Sequence, residues 1–172
     1  MKILTSKIIM YFCVMDKTQI KFIEKAIYLA SENAKDIKGG PFGAVIVRDN
    51  KIISSGVNLV TSNCDPTAHA EVMAIRNACK VLKKFDLSDC EIYASCEPCP
   101  MCLGAIYWAR LKTLYFAADR SEAAEAGFDD DLIYQEIPKD IADRKIKTVK
   151  LNHKDTIVPF EIWKENENKI EY

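Results

Sequence analysis

The stretch CEPCPMC, residues 96–102, places three cysteines and two prolines within seven positions. Cys99 and Cys102 have the spacing C-x-x-C, and Pro98 fixes the backbone just before them. The residues that follow predict a helix entered through proline, so both sulfurs can converge on one ion at its start. The positive end of that helix would favour thiolates over thiols. Such a pair can be a redox disulfide, a structural zinc clip or part of an active site.

Composition favours metal binding over a disulfide framework. The chain has 172 residues, 49% of them hydrophobic, which is enough for one domain with a sizeable core. Its seven cysteines are an odd number. We therefore expect a reducing compartment, the cytoplasm, where clustered thiols bind metals more often than they pair. The formal net charge of −1, without a long block of like charge, argues against a nucleic-acid partner.

The first 15 residues, MKILTSKIIMYFCVM, are apolar and faintly resemble a signal peptide. They lack a small-residue cleavage site and are too short to span a bilayer. We therefore predict no membrane association and treat residues 1–15 as an N-terminal extension, with Met15 as an alternative start.

Predicted helices and strands alternate along the rest of the chain. Helices are expected over 18–35, 65–84, 98–111, 121–127 and 159–169, and strands over 43–47, 51–57, 91–95, 112–118 and 145–151. Strands separated by helices of this length predict an α/β fold, a three-layer α-β-α sandwich around a mixed, mostly five-stranded sheet.

A zinc site needs more than two ligands, and a histidine at another predicted helix start offers a third. His69 lies in the tripeptide HAE, residues 69–71, and is one of only two histidines in the chain. With Cys99 and Cys102 it makes a three-ligand set, which in a catalytic zinc site leaves the fourth position to water. Cys96 could instead complete a closed structural site. Glu71, beside His69, favours the catalytic alternative because a carboxylate there can activate water.

The pattern H-x-E followed by P-C-x-x-C is similar to the signature of zinc-dependent deaminases. The wider stretches GGPFGAVIV, DPTAHAEVMAIRNAC, CEPCPMCLGAIYWAR and EAAEAGFDDDLIY resemble bacterial guanine deaminases of the cytidine-deaminase fold. The resemblance runs from about residue 18 to residue 172. The HAE and PCxxC motifs are shared with cytosine deaminases and tRNA adenosine deaminases, whereas the stretch EAGFDD and the C-terminal tyrosine point to guanine.

This resemblance implies a deaminase domain over residues 16–158 that holds one zinc ion through His69, Cys99 and Cys102. Glu71 would take a proton from the attacking water, deliver it to a purine ring nitrogen and help protonate the departing ammonia. Attack at C2 of guanine would give xanthine and ammonia, a step of purine catabolism or salvage.

The resemblance also implies contacts to the base. Asn58 would hydrogen-bond the purine, Phe42 would stack on the ring, and the backbone of Ala70 would approach it. Guanine presents N–H donors along one edge, and a carboxylate there would recognise them. We expect that carboxylate to be Asp130, with its neighbour Asp129 as the alternative.

Two aromatic residues are expected at the boundary between subunits. The resemblance implies a homodimer in which the helical tail, residues 159–172, crosses to the partner, so that Tyr172 helps close the partner's active site. Trp108 would lie near the neighbouring subunit's site.

Three other functions remain open at the level of sequence. A deaminase of cytosine, guanosine or another small base would share the zinc site. A tRNA adenosine deaminase would share it too, but would need a basic surface for the anticodon stem, which the net charge of −1 does not suggest. A zinc module without enzymatic activity would not need Glu71.

Overall fold

The structure of the chain, a computed structural model, describes residues 17–172. The predicted N-terminal extension, residues 1–15, lies outside the described residues. No helix among residues 17–172 is long and apolar enough to cross a membrane. The elements in chain order are α1 (Lys17–Lys35), β1 (Gly43–Arg48), β2 (Lys51–Val57), α2 (Val60–Asn63), α3 (Ala70–Leu82), β3 (Glu91–Cys96), α4 (Pro100–Trp108), β4 (Thr113–Ala118), α5 (Arg120–Glu125), α6 (Asp131–Glu136), a 3₁₀ turn (Ile141–Asp143) and α7 (Val158–Glu165).

The sheet has four strands in the order β2-β1-β3-β4. β1 runs antiparallel to both β2 and β3, whereas β3 and β4 are parallel. The prediction of a mixed sheet is confirmed, but the prediction of five strands is wrong by one. Residues 145–151, KIKTVKL, mix apolar and polar residues nearly in alternation, yet they lie in no strand of the described chain. An alternating pattern indicates strand propensity only, because a strand also needs a neighbouring edge with which to hydrogen-bond.

Helices cover both faces of this sheet, which confirms the three-layer arrangement. Strand β1 contributes side chains to two hydrophobic clusters, because successive side chains of a strand point to opposite faces of the sheet. On one face α1 packs against the sheet through Phe22, Ile23, Val45, Val47 and Tyr93. On the other face α3 and α4 pack through a cluster that includes Ala44, Ile46, Ala74, Ile92 and Ile106.

The start of α3 is fixed by a close approach between helix and sheet. A Cβ atom on Gly56, in β2, would lie 2.2 Å from the carbonyl oxygen of Ala70 and 2.4 Å from the backbone nitrogen of Ala74. Only glycine allows α3 to lie this close to the strand, so Gly56 sets the position of the helix start.

Helix α3 begins at Ala70, five residues later than the predicted start at residue 65. Asp65 does not cap it, because its Oδ1 accepts from the backbone nitrogen of Thr67 at 2.8 Å and from the Thr67 hydroxyl at 2.7 Å, which closes a local turn. The N-cap is instead His69. The N-cap of α4 is Cys99, with Pro100 in the first turn.

Candidate active site

The N-termini of α3 and α4 face each other. Their N-cap residues, His69 and Cys99, have extended backbones, and neither side chain caps its own helix. The side chains meet instead: His69 Nδ1 lies 3.6 Å from Cys99 Sγ and 3.5 Å from Cys102 Sγ. These three donor atoms all lie within 4.8 Å of one another, and they form the one such grouping found within residues 17–172.

The spacing of the donors fits a zinc ion. With Zn–S of about 2.3 Å and Zn–N of about 2.0–2.1 Å, a tetrahedral site has an N···S edge of about 3.6 Å. The two N···S distances of 3.6 and 3.5 Å match that edge. One imidazole and two thiols are ligands that zinc prefers, and three protein ligands leave one position of the tetrahedron open.

The two cysteines differ in acidity. Contact with the Cys102 side chain holds the pKa of Cys99 down to about 4. The same contact, together with burial, raises the pKa of Cys102. Cys99 is therefore the more acidic of the two, and a bound metal ion would require Cys102 to lose its proton as well, because a coordinating thiol is deprotonated outright.

Glu71 lies next to the donor set, in the first turn of α3, and only 6% of its surface is exposed. Its Oε2 accepts from Cys102 Sγ at 3.3 Å. Burial raises the pKa of this carboxyl group. A buried carboxyl group with a raised pKa holds a proton more readily than an exposed one, which suits a group that transfers protons during a reaction.

A cavity of about 250 Å³ opens in front of these groups. It is smaller than the roughly 300–1,000 Å³ typical of sites for drug-sized ligands, so it suits a smaller molecule. Its wall is formed by Phe42, Asn58, His69, Glu71, Cys96, Glu97, Cys99, Arg120, Ala123, Phe128, Asp129, Asp130 and Ile133.

Of the residues predicted to contact a base, Phe42, Asn58 and Asp130 line this cavity, whereas Ala70 is buried at the start of α3. Asn58 is oriented by its own loop: its Oδ1 accepts from the backbone nitrogens of Gly40 and Val60, each at 3.2 Å. With the amide oxygen so engaged, its NH₂ group is the part available to the cavity.

Asp129 and Asp130 both line the cavity, but only one of the two side chains is hydrogen-bonded to the start of α6. Asp129 Oδ1 accepts from the backbone nitrogen of Asp131 at 2.9 Å, at the start of α6. Asp130 is the N-cap of α6, yet its side chain makes no capping hydrogen bond. Burial raises the pKa of the Asp130 carboxyl. Of the two, Asp130 has the side chain that is not engaged by its own helix.

The sequence analysis missed the ring of Phe128 as part of the cavity. It packs edge-on against Phe42 with 5.0 Å between ring centroids. The residue lies in the stretch EAGFDD, which indicates guanine and in which the sequence predicts a base contact for Asp130 or Asp129 only. The preceding Gly127 has φ of +92°, a conformation that favours glycine and turns the chain so that Phe128 enters the cavity.

Cys96 and Arg120 were not predicted in the cavity wall either. Cys96, the last residue of β3, donates to the carbonyl oxygen of Asp119 at 3.6 Å and is not part of the donor grouping. Arg120 lies over the ring of Tyr134, 4.6 Å from its centroid, and its backbone nitrogen donates to Glu97 at 3.2 Å. The hydrogen bond to Glu97 attaches the α5–α6 segment to the loop that precedes Cys99, whereas the contact with Tyr134 joins α5 to α6.

Trp108 and Tyr172 lie outside this cavity. Their ring centroids are 6.2 Å apart, and together with Pro159, Phe160 and Trp163 they line a separate surface depression of about 580 Å³. Within the described chain, the structure does not bring either residue to the zinc ligands.

Two helix N-termini that present a histidine and two cysteines over the end of a mixed sheet, with a buried glutamate beside them, define a zinc-dependent hydrolase of the deaminase type. Residues 16–118 match the family described as the cytidine and deoxycytidylate deaminase zinc-binding region. The chain belongs to this family.

Three relatives give the range of its similarity. Guanine deaminase of Bacillus subtilis is 54% identical over 151 residues, covering 88% of this chain and 97% of its own. Its X-ray structure superposes with a TM-score of 0.88, covering 92% of this chain and 99% of that one. A guanine deaminase structure from Nitrosomonas europaea is 33% identical, with a TM-score of 0.58 and 63% coverage of each chain. A tRNA-specific adenosine deaminase of Buchnera aphidicola is 46% identical over 99 residues, or 56% of this chain and 59% of its own.

Proposed function

We propose that the chain is a zinc-dependent guanine deaminase that converts guanine and water to xanthine and ammonia. The observation that carries the proposal is the cavity itself, which has His69, Cys99 and Glu71 on one wall and the Asp130 carboxylate on another. Similarity to Bacillus subtilis guanine deaminase over nearly the full length of that enzyme supports it.

His69, Cys99 and Cys102 would hold the zinc ion. When bound, zinc acts as a Lewis acid and lowers the pKa of a coordinated water to about 7. Glu71 would accept a proton from the attacking water and carry it to the purine. Its buried position, with a raised pKa, suits a group that holds the proton between two transfers. Attack at C2 would then release the exocyclic amine as ammonia.

The remaining walls would select guanine. The Asp130 carboxylate would accept hydrogen bonds from the N–H groups along one edge of guanine. The NH₂ group of Asn58 would donate a hydrogen bond to an acceptor on the purine. The edge-on pair of Phe42 and Phe128 would form the apolar surface against the ring. The backbone at Ala70 would lie close to the reacting carbon, since it directly precedes Glu71.

We further propose a homodimer whose tails, residues 159–172, exchange between subunits, so that Tyr172 and Trp108 complete a partner's site. The position of Tyr172 outside its own chain's cavity supports this exchange. The large apolar side chains exposed toward the C-terminus also need a cover; they include Ile146, Val149, Leu151, Phe160, Ile162 and Ile170. A two-fold dimer would let each subunit cover the other with the same element.

The proposal divides the chain into a deaminase domain, residues 16–158, and that tail. A cytoplasmic location fits the chemistry, because the zinc ligands must stay reduced. All six cysteines in the described part of the chain are free thiols: Cys64, Cys79, Cys90, Cys96, Cys99 and Cys102.

The test is a substrate panel. The purified, zinc-loaded protein is incubated with guanine, guanosine, adenine, cytosine and a tRNA, and released ammonia is measured. Glu71→Gln protein, expressed and purified by the same procedure, is the control for contaminating deaminases. Ammonia from guanine above that control supports the proposal, and activity confined to cytosine or tRNA would replace it with the corresponding deaminase.

A further inference from the structure

Two loops carry the cavity residues Phe42 and Asn58, and a third element fastens these loops together. Phe42 ends the glycine-rich turn before β1, and Asn58 directly follows β2. Helix α1 passes beneath both and contributes Asn33, near its C-terminal end. Only 4% of the surface of Asn33 is exposed, and it does not line the cavity.

Asn33 uses its amide nitrogen to bridge the two loops. Its Nδ2 donates to the carbonyl oxygen of Gly40 at 2.9 Å and to that of Asn58 at 2.8 Å. An NH₂ group has two hydrogens, so both are used. Because the bridge is buried, loss of the amide would remove the Asn33 donor from the Asn58 carbonyl in a region of low dielectric, whereas the Gly40 carbonyl would keep its hydrogen bond from the backbone nitrogen of Phe42 at 2.8 Å.

The turn and the loop that Asn33 connects are packed closely against each other. A Cβ on Gly39 would lie 2.1 Å from the carbonyl oxygen of Asn58, so turn and loop are in direct contact there. The side-chain oxygen of Asn58 accepts from the backbone nitrogen of Gly40 at 3.2 Å, on the same turn. A shift of the turn relative to the loop would therefore rotate the Asn58 amide.

We propose that Asn33 is a positioning residue for purine recognition: by fixing the Asn58 backbone against the Gly40 turn, it aims the Asn58 NH₂ group at an acceptor on the base. This inference rests on the proposed function, since it needs a purine in the cavity. Asn33 itself touches neither the base nor the zinc ligands, so its effect is on the direction of one hydrogen bond.

The test uses bases that differ in one acceptor. 7-Deazaguanine lacks the N7 acceptor, and 6-thioguanine has a weaker acceptor at position 6, while both keep the N1–H and 2-amino donors. Inhibition constants of both, together with KM and kcat for guanine, are measured for the wild type, Asn58→Ala, Asn33→Ala and the milder Asn33→Ser. Ser54→Ala is the matched control, because Ser54 is also buried and donates to a backbone carbonyl, that of Ala74 at 2.7 Å.

In the wild type we expect one of the two analogues to bind about tenfold more weakly than guanine, the loss of roughly one hydrogen bond. That ratio should fall to about one in Asn58→Ala and in both Asn33 variants, with zinc content unchanged, and should persist in Ser54→Ala. A purely structural role would lower thermal stability but leave the ratio intact, and that result would overturn the inference. So would equal binding of all three bases by the wild type. Wild-type protein that neither binds nor deaminates guanine would refute the proposed function instead.

Discussion

Two walls of the cavity differ in construction. The metal wall, His69, Glu71 and Cys99 with Cys102 behind them, lies at the N-termini of two helices that pack on the sheet. The outer wall, Phe128 to Ile133, belongs to the exposed α5–α6 segment, in which no residue of either helix is buried. The metal wall is thus part of the folded core, whereas the outer wall is attached to it from outside.

The contacts that attach the outer wall are few and identifiable. They include the hydrogen bond from the Arg120 backbone to Glu97, the Tyr134 hydroxyl donating to the Pro98 carbonyl at 3.5 Å, and the ring contact between Phe42 and Phe128. This difference suggests that the metal wall carries out the reaction and the outer wall selects the base. Changes to the metal wall should abolish the reaction, and changes to the outer wall should alter which base is accepted and how well.

The largest effect is expected at the zinc ligands. His69→Ala or Cys99→Ala should remove both the metal, about one zinc per chain in the wild type, and the activity, because two ligands do not hold zinc tightly. Elemental analysis and guanine turnover are the measurements. Cys96→Ala is the matched control: it should keep its zinc, since this cysteine lies outside the donor grouping. Full zinc in His69→Ala protein would contradict the assignment.

Glu71→Gln should separate metal binding from chemistry within the metal wall. The amide keeps the shape of the side chain but cannot accept the proton, so zinc should remain while turnover falls by at least about 100-fold. The measurements are the zinc content and the steady-state turnover of guanine, both on the same sample. Wild-type turnover in this variant would exclude Glu71 from proton transfer and favour a zinc module.

Deletion of Ile170 to Tyr172 tests whether the cavity is completed from another subunit. We expect a folded, zinc-loaded protein whose guanine deamination falls about tenfold or more, because an open site positions its substrate poorly.

Co-expression of this deletion with a full-length Glu71→Gln chain distinguishes the origin of the tail. In an exchanged heterodimer, the site with an intact Glu71 receives the intact tail, so part of the activity should return. A deletion that is fully active, or a heterodimer without recovery, would show that the tail does not act on a partner's site.

The smallest effect is expected at the outer wall. Asp130→Asn should lower kcat/KM for guanine by about 10-fold, the value of a hydrogen bond to a charged group, and should weaken the preference over other purines while zinc stays bound. Asp129→Asn is the matched neighbour and should matter less, since that side chain is engaged at the start of α6. The reverse order of effects would reassign the recognition role to Asp129.

The metal wall could be predicted from sequence because each of its motifs is local. HAE and PCxxC each place their ligands within one turn of a helix start, so a short pattern determines both the structure and the chemistry. Only the pairing of the two motifs is long-range, and the mixed sheet with helices on both faces accounts for it.

The rest depends on contacts that no local pattern contains. Asn33 looks like an ordinary polar residue of an amphipathic helix until its bridge to Gly40 and Asn58 is seen. Phe128 enters the cavity because of the positive φ of Gly127. The predicted fifth strand, residues 145–151, was wrong since its alternation of side chains does not determine whether a neighbouring edge is available.

The aromatic cluster around the C-terminal residue has an optical consequence. Both tryptophans of the chain, Trp108 and Trp163, have ring centroids within 6.5 Å of the Tyr172 ring. Because neither tryptophan lines the cavity of its own chain, intrinsic tryptophan fluorescence monitors where the tail lies. Emission should therefore change when the last residues are removed or when subunits exchange. The chain thus carries a built-in spectroscopic probe of its own C-terminus.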